Sequence, residues 1–284
     1  MDAFRSDWEP APRRAPPSTT LLAVGDVHGC AAHLHGMEAL LAGLIAEAKV
    51  AGRRCEIVLL GDYTDRGPSS LGVLRQLSGL RDRLGVPLHL LLGNHDQMLV
   101  ACLADRPDPE ILELWQLNGG TTVLAECGMG SREIERMSPE AIAQQLRDRL
   151  GPELVALLHG LEPGWAAGGY LFVHGGVHPT RPIATQSALD AIWMREPFLS
   201  GVGWSHPFAV VHGHTPLGPD VRGHRIGVDS GCFHTGALAA VELVDDRLRF
   251  HVVTDLTNAA ILASQLPSAQ QRRFEPAGKR EPRP

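Results

Sequence analysis

Five short apolar runs of this chain each end beside a glycine and a cluster of polar side chains. The runs cover residues 20–24, 56–60, 88–92, 170–173 and 208–211. The clusters that follow them read GDVHG, GDYTDRG, GNHD, HGG and HGHTP, in that order. Each run has the length and composition of a buried strand. Because ligands of open α/β sheets bind beyond the carboxyl ends of the strands, we expect the five clusters to meet at one site.

Segments with helical periodicity lie between the early strands. In 31–48, for example, apolar residues recur at helical spacing. Further segments with a helical pattern are 69–83, 96–104, 109–117 and 138–159. Strands that alternate with helices predict parallel pairing. Near the end, 237–244 and 247–253 flank two aspartates and predict a β-hairpin. The predicted fold class is therefore α/β, with two stacked mixed β-sheets flanked by helices in a four-layer α/β/β/α sandwich.

One continuous domain is expected over 19–260. The polar, proline-rich residues 1–18 and the Gln-, Arg- and Pro-rich residues 261–284 are predicted to be flexible tails. The segment 103–164, between GNHD and HGG, is longer than the sandwich itself needs. We expect it to form a helical cap beside the site.

The overall composition narrows the class of protein. A hydrophobic content of 44% and a charged content of 20% are typical of a soluble globular chain. The net charge of −6 argues against binding to nucleic acid or to an anionic membrane. No apolar run reaches membrane-spanning length, and the N-terminal stretch lacks the apolar core of a secretory signal. Five scattered cysteines without a CxxC pair predict reduced thiols and a cytoplasmic location.

The five clusters supply carboxylates, imidazoles and one amide oxygen. Such a nitrogen and oxygen ligand set suits Mn²⁺, Fe or Zn²⁺ better than a structural, cysteine-based zinc site. Two metals bridged by a carboxylate form a known hydrolytic arrangement. Two nearby arginines, Arg66 and Arg195, have the fork geometry that binds phosphate oxygens. Taken alone, Asp26 and His28 could merely cap a turn, but the other four clusters favour a metal site.

The ordered series of clusters resembles the signature of the calcineurin-like metallophosphoesterases. GDYTDRG narrows the resemblance to the phosphoprotein phosphatase (PPP) branch, and the bacterial-type serine/threonine protein phosphatases are nearest. IWMRE resembles their second arginine motif, and WQLNGGTTVL resembles a segment that follows GNHD in many bacterial relatives. The resemblance spans about residues 20–255. The chain departs from the frequent GNHE motif at Asp96, a change of one methylene that should leave the ligands intact.

The resemblance implies a role for each motif residue. Asp26 and His28 would bind the first of two divalent metal ions, and Asp62 would bridge both. The remaining ligands, for the second ion, would be Asn94, His174 and His214. The ions would be Mn²⁺ by preference, with Fe, Zn²⁺ or Ni²⁺ as alternatives, and a hydroxide bridging them would attack phosphorus in line.

The same resemblance assigns the catalytic groups. His95 would be the general acid that protonates the leaving oxygen, with Asp65 orienting it. Arg66 and Arg195 would bind the phosphate and stabilise the transition state, with Asn94 as a further phosphate contact.

Three residues near the motifs stay open. His212 either bonds locally or binds metal directly. Arg181 rivals Arg195 as a phosphate ligand. Cys30, which follows GDVHG, matches no ligand position of the family, so a packed thiol is favoured over a metal ligand, with sensitivity to oxidation as a further alternative.

Three functions remain in contention. The first is a serine/threonine protein phosphatase, a phosphoric monoester hydrolase. The second is a dinucleoside polyphosphate hydrolase like the symmetrical diadenosine tetraphosphatases, which needs aromatic or cationic groups to hold a base. Trp115 and Trp165 are candidates for that contact. The third is a non-catalytic phosphate-binding protein. The expected partner is a phosphorylated protein or a nucleotide substrate, with no nucleic acid and no membrane.

Overall fold

The computed structural model describes residues 1–255 together with the backbone of residues 275 and 276. Its strands are β1 (Asp2–Arg5), β2 (Glu9–Pro10), β3 (Thr19–Val24), β4 (Arg54–Leu59), β5 (Leu88–Leu90), β6 (Trp165–Ala167), β7 (Tyr170–Phe172), β8 (Ala209–His212), β9 (Asp220–Val221), β10 (Arg225–Gly227), β11 (Ala237–Val244), β12 (Arg247–Thr254) and β13 (Glu275–Pro276). Its α-helices are α1 (Ala31–Val50), α2 (Ser70–Ser78), α3 (Leu80–Leu84), α4 (Asn94–Cys102), α5 (Pro109–Trp115), α6 (Thr121–Glu126), α7 (Ser131–Ile134), α8 (Pro139–His159), α9 (Ala188–Trp193) and α10 (Cys232–Thr235). None of the helices in this part of the chain is long and apolar enough to cross a membrane.

Among the described residues, eight strands form the first sheet. Their order is β13, β1, β12, β11, β3, β4 and β5, with β2 paired to β12. β3, β4 and β5 are parallel, whereas β11 pairs antiparallel with both β3 and β12. The hairpin predicted at the two aspartates is confirmed, because Val244 pairs with Arg247 across that turn. The long C-terminal strand β11 therefore lies in the middle of the sheet, directly beside β3.

The burial of β3 shows that the first sheet is covered on both faces. All six of its residues are buried, as expected for a strand covered on both faces. Leu22 and Val24 pack with α1 and the other helices on one face. Leu21 and Ala23 pack on the opposite face, among side chains of the second sheet. The alternation of side chains along the strand thus divides one apolar run between two cores.

The second sheet contains five strands of the described chain, in the order β6, β7, β8, β10 and β9. Its three central strands are parallel, and both of its edge strands are antiparallel. Phe172 and Val211 face the first sheet, whereas Val173 and Val210 pack with Phe198 on the outer side. The predicted fold class, two mixed sheets flanked by helices, is confirmed.

The five predicted strands that precede the polar clusters are present as β3, β4, β5, β7 and β8, each within two residues of the predicted bounds. Within each sheet these strands end at one edge, because β3–β4–β5 and β7–β8 are parallel sets. The two edges adjoin, since His174 after β7 contacts Asn94 after β5.

The N-terminal segment differs from the flexible tail predicted for 1–18. β1 pairs antiparallel with β12, from Asp2 opposite Thr254 to Arg5 opposite His251. The indole ring of Trp8 lies 4.2 Å from the guanidinium carbon of Arg249. The segment thus covers a strand that would otherwise be an unpaired edge. The tail predicted over 261–284 lies outside the described residues, except for the backbone of β13.

Helices α5–α8 occupy the segment 103–164. They share one buried cluster with α1 and α2, to which Trp115, Val123 and Leu146 contribute. A π-helical turn at Gln116–Gly120 joins α5 to α6. α8 is kinked at Gly151, where φ is 73° ahead of Pro152. The segment is therefore packed onto the sandwich as part of its helical layer.

Candidate active site

Residues of all five clusters contact one another beyond the ends of the parallel strands. The backbone N–H of His95 donates to Asp62 Oδ1 over 2.9 Å, which joins the clusters after β4 and β5. The backbone N–H of His214 donates to both carboxylate oxygens of Asp26, at 3.2 and 3.0 Å, which joins those after β8 and β3. Contacts of His28 with Asp62 and of His174 with Asn94 connect these two pairs and the HGG cluster, so all five clusters adjoin.

Five of the predicted site residues adopt a left-handed backbone. The φ angle is 43° at His28, 53° at Asp62, 71° at Asp65, 65° at Arg66 and 63° at His214. Such angles cost a residue with a side chain roughly 1–3 kcal/mol and are concentrated at functional sites in many proteins. Each of these turns redirects the chain immediately after a strand. The side chains are therefore presented at the strand ends by backbone conformations that the surrounding fold enforces.

Asp62 is the centre of the site. Its Oδ2 lies 3.4 Å from His28 Nε2 and 3.3 Å from His174 Nε2, and all three residues are buried. The Nδ1 atoms of the two histidines lie 2.9 Å from the backbone carbonyls of Thr64 and Leu60, respectively. A carbonyl only accepts, so both Nδ1 atoms carry hydrogen. In the neutral histidines, each Nε2 therefore turns a lone pair toward a carboxylate oxygen, an arrangement that a cation would stabilise.

A second group of acceptors adjoins the first. Asn94 Oδ1 lies 3.1 Å from His174 Nε2 and 2.7 Å from His214 Nδ1. The Nε2 atom of His214 is buried and has no hydrogen-bond partner among the described residues. The donor atoms of Asp62, His174 and His214 lie within 4.8 Å of one another, and so do those of His28, Asp62 and His95. Asp62 belongs to both groups, as a bridging ligand would.

The electrostatics of the buried groups agree with a cation site. Burial lowers the pKa of His28 to about 3 and that of His214 to about 3, so both imidazoles stay neutral and can act as ligands. Burial alone would raise the pKa of Asp62, but the neighbouring His174 and His95 outweigh it and hold the pKa well below its usual value. Burial alone would lower the pKa of His174, but the same pairing with Asp62 raises it and favours the protonated form, whose proton a bound divalent cation would displace. The residues present therefore fit two divalent cations, with Asp62 between them.

Asp65 contacts His95 through the Nδ1 atom of its ring. The distance from His95 Nδ1 to Asp65 Oδ2 is 2.7 Å, and both side chains are buried. Trp115 Nε1 donates to the same carboxylate, 2.9 Å from each oxygen. Burial raises the pKa of Asp65, and the hydrogen bonds from His95 and Trp115 oppose that shift. Asp65 thus fixes the ring of His95 and leaves Nε2 to exchange a proton.

The WQLNGG stretch, singled out by its sequence, supports this pair. The backbone N–H of Arg66 donates to the carbonyl of Gly119 over 3.3 Å, at a position where Gly119 has a φ of 111°. A Cβ on Gly120 would overlap the indole ring of Trp115. The π-helical turn therefore brings the backbone against Arg66 and Trp115 at a distance that only glycine permits.

The structure brings two of the three candidate arginines to the site. Arg66 Nη1 lies 2.9 Å from His28 Nε2, and its guanidinium carbon lies 5.0 Å from the centre of the Phe233 ring. Arg195 is exposed and donates to the carbonyl of His214 over 3.3 Å. Arg181 instead contacts Asp190 at 3.4 Å, beside the first turn of α9. Arg66 and Arg195 thus lie beside His28 and His214, whereas Arg181 is held elsewhere.

The hydrogen bonds of His212 are local. Its Nδ1 lies 2.9 Å from the carbonyl of Gly213, and Arg225 Nη1 lies 3.4 Å from its Nε2. The ring also packs edge-on against Phe198, at 5.0 Å between centroids. These contacts support the local hydrogen-bonding alternative for this residue. Trp165, proposed from sequence as a base contact, instead stacks on His89 at 4.2 Å.

Two residues of the site were missed by sequence reasoning. Asp229 is buried, hydrogen-bonds to the Asp26 carboxyl group and accepts from the backbone N–H of Gly231 over 2.8 Å. It follows β10, so the pattern of a short apolar strand ending in an acid could have found it. Phe233, in the four-residue helix α10, lies 5.4 Å from the His28 ring and is 39% exposed. No local pattern distinguishes that phenylalanine.

Asp96 has a structural place in the site. Its carboxylate accepts from the backbone N–H groups of Tyr63 and Gly93 and from the hydroxyl of Thr64, at 3.0 to 3.2 Å. Burial and the neighbouring Asp62 raise its pKa to about 7. The side chain therefore caps α4 and ties it to the GDYTD turn, without occupying a ligand position.

Comparison with known proteins agrees with this arrangement. The sequence profile of the calcineurin-like phosphoesterases matches residues 19–253. The chain belongs to this family. Membership makes it a phosphoester hydrolase, and the paired ligand groups are those expected of a metallophosphoesterase.

Two similar proteins are named for a more specific activity than that of the whole family. The symmetrical bis(5'-nucleosyl)-tetraphosphatase of Janthinobacterium sp. is 27% identical over 197 residues, which are 69% of this chain and 57% of that protein. The enzyme of the same name from Klebsiella pneumoniae is 42% identical over 81 residues, 28% of this chain and 25% of its own length. The matches thus span less than two thirds of these relatives.

A solved structure provisionally designated a diadenosine tetraphosphatase has the same fold. It aligns with a TM-score of 0.51 at 24% identity, over 80% of this chain and 90% of that one. The curated relatives above do not carry the serine/threonine phosphatase name that the GDYTDRG motif suggested.

Proposed function

We propose that this protein hydrolyses a phosphoanhydride bond of dinucleoside polyphosphates, with the symmetrical cleavage that gives two nucleoside diphosphates from a diadenosine tetraphosphate. The observation that carries the proposal is its similarity to symmetrical bis(5'-nucleosyl)-tetraphosphatases, which extends over 69% of this chain in one relative. The proposal replaces a phosphomonoester with a phosphoanhydride as the preferred substrate. It retains the metal ligands and acid–base groups inferred from the motifs.

Two divalent cations would occupy the two ligand groups that share Asp62. At the first group, Asp26 would join His28 and Asp62 as a ligand, while His95, the third member of that group, would stay free to act as the general acid. At the second group, Asn94 would join His174 and His214. Bound there, the cations would activate water and polarise a phosphoryl oxygen. We propose Mn²⁺ as the resident ion, since carboxylate, imidazole and amide ligands suit it.

The chain's own side chains would bind the substrate and move the proton. Arg66 and Arg195 would bind non-bridging phosphate oxygens, and Asn94 would add a contact through its amide. In the reacting state Arg66 would leave His28 Nε2, now 2.9 Å away, and turn toward the substrate. His95 would protonate the leaving diphosphate oxygen from Nε2, while Asp65 stabilises the charged ring from Nδ1.

Phe233 supplies the aromatic surface that a nucleotide requires. Trp115 is fully buried against Asp65, and Trp165 is stacked on His89, so neither offers a free ring face at the site. Phe233 is 39% exposed and lies beside Arg66. Base–aromatic stacking contributes about 1–3 kcal/mol, so we expect Phe233→Leu to weaken dinucleotide binding roughly 5- to 150-fold.

The test is a substrate panel on metal-stripped protein reconstituted with Mn²⁺, Ni²⁺, Zn²⁺ or Mg²⁺. Diadenosine tetraphosphate, phosphoserine and phosphothreonine peptides, and an aryl phosphate would be compared by kcat/KM. We expect the dinucleotide to be the best substrate, with two ADP molecules as products. Asp62→Asn should abolish turnover while keeping a residue that tolerates the left-handed backbone.

Two outcomes would contradict the proposal. A higher kcat/KM for phosphopeptides would favour the serine/threonine phosphatase activity suggested by Asp65 and Arg66 of the DRG motif. Tight phosphate binding without turnover of any substrate would indicate a non-catalytic phosphate-binding protein. Equal loss of dinucleotide and aryl phosphate turnover in Phe233→Leu would refute the base contact alone and leave the reaction intact.

A further inference from the structure

A second cluster of metal-ligating side chains lies next to the active site. It consists of Cys30, His33 and Cys232, whose potential ligand atoms lie within 4.8 Å of one another. Neither thiol forms a disulfide, and both are buried. The described part of the chain contains three other cysteines, none of which belongs to such a group.

The positions of the three residues favour convergence on one ion. Cys30 caps α1 and His33 is three residues further on, so the two side chains lie on the same face of the first helical turn. Cys232 begins α10 and meets them from a different part of the chain, and its thiol hydrogen-bonds to that of Cys30. A tetrahedral zinc ion with bonds of about 2.3 Å to sulfur holds its ligand atoms roughly 3.7 Å apart. The observed spacing accommodates that arrangement.

The hydrogen bond of His33 fixes its neutral ring in one tautomer. His33 Nε2 lies 3.0 Å from the carbonyl of Gly236, which can only accept a hydrogen bond. Nε2 therefore carries the hydrogen, and Nδ1 is left with the free lone pair. A hydrogen bond from one ring nitrogen to a carbonyl is the usual support of a metal-bound imidazole.

We propose that Cys30, His33 and Cys232 form a thiolate-containing site for a soft divalent cation such as Zn²⁺, distinct from the nitrogen and oxygen ligands of the catalytic pair. Two thiolates and one imidazole select zinc or a similar ion and leave a fourth position open. The site connects two segments that line the active site. Cys30 Sγ lies 3.6 Å from the carbonyl of His28, and Cys232 precedes Phe233. An ion bound there would tie the GDVHG turn to α10.

Cobalt substitution separates this site from the catalytic one. Metal-stripped full-length protein would be titrated with Co²⁺ under argon with a non-thiol reductant. We expect a near-ultraviolet sulfur-to-cobalt charge-transfer band, because only thiolate ligands give it. The band should vanish in Cys30→Ser and in Cys232→Ser, with one fewer cobalt ion per chain by elemental analysis. Cys127→Ser, which removes an equally buried thiol elsewhere, is the matched control and should retain the band.

A further variant tests the sulfur site if a cysteine variant fails to fold. His33→Gln alters a partly exposed residue and should weaken cobalt binding at the sulfur site at least tenfold. A wild-type titration without any charge-transfer band would overturn the proposal, even if cobalt supports hydrolysis at the catalytic pair. So would a band that is unchanged in Cys232→Ser. A Cys30–Cys232 disulfide found by peptide mapping after treatment with oxidised glutathione, with no sulfur band in the reduced protein, would replace the metal site with a redox pair.

Discussion

The hydrogen bond from Trp115 to Asp65 makes a specific prediction about proton transfer. Trp115→Phe removes the indole N–H that lies 2.9 Å from both carboxylate oxygens of Asp65, while retaining most of the buried ring. Asp65 is fully buried, so water does not replace the lost donor. A hydrogen bond to a charged group contributes about 1.5–3 kcal/mol, which corresponds to roughly 10- to 150-fold in rate if the loss falls entirely on the charged form of His95.

The assay compares leaving groups. A substrate with a poor leaving group depends on protonation by His95, whereas 4-nitrophenyl phosphate needs little protonation. We expect Trp115→Phe to lower kcat by about 10- to 150-fold with phenyl phosphate and by less than about threefold with the nitrophenyl ester. Trp165→Phe, at the edge of the second sheet, is the control for the loss of an indole and should leave both rates unchanged. An equal loss with both substrates in Trp115→Phe would refute the reasoning, since it would indicate a general disturbance of the fold.

Three further predictions concern the supports of the site and the sheet. Gly120→Ala should displace the Trp115 ring and lower kcat with the same dependence on the leaving group as Trp115→Phe. It should also lower the free energy of unfolding in urea by about 1–3 kcal/mol. Unchanged kinetics would contradict the close approach of Gly120 to the Trp115 ring. Asp229→Asn should weaken Mn²⁺ binding about 10-fold or more, as measured by calorimetry, because Asp229 hydrogen-bonds to the proposed metal ligand Asp26. An unchanged Mn²⁺ affinity would contradict this supporting role of Asp229. Burial would raise the pKa of Glu242, but its hydrogen bonds with His251 and Arg249 outweigh this and lower the pKa. That stability is present above the usual pKa of 4.5 and is lost as the pH falls, so Glu242→Gln should flatten the acid side of the unfolding free energy measured by urea titration.

The parts of the molecule that sequence reasoning found are those with local signals. Each of the five predicted strands is a short apolar run followed by glycine and acid or histidine, so both the strand and its polar residues are visible in one stretch of chain. The α/β class and the ligand groups around Asp62 follow from those runs. The parallel direction of the strands then brings together the clusters of each sheet, and the stacking of the two sheets joins the two sets.

The parts it missed depend on contacts between distant segments. Trp115 reaches Asp65 across 50 positions, whereas from sequence alone that indole is a candidate base contact. Phe233 is an aromatic residue in a short helix whose position is set by the turn after β10. Strand β1 exists because β12 offers it an edge, as the pairing of Asp2 with Thr254 shows. In each case the conformation depends on contacts with residues far away in the chain, which no local sequence pattern identifies.

The place of β11 in the first sheet has a consequence for how the protein is made. β3, which leads into the GDVHG turn, has β4 on one side and β11 on the other, and β11 is more than 200 positions further along the chain. During synthesis β3 therefore remains an open sheet edge until residues 237–254 have left the ribosome. Open apolar edges pair with other chains, so ribosome-bound fragments that end before β11 should depend on chaperones and aggregate readily. The first half of the active site is translated early, yet it gains a lasting structure only when the hairpin of β11 and β12 arrives.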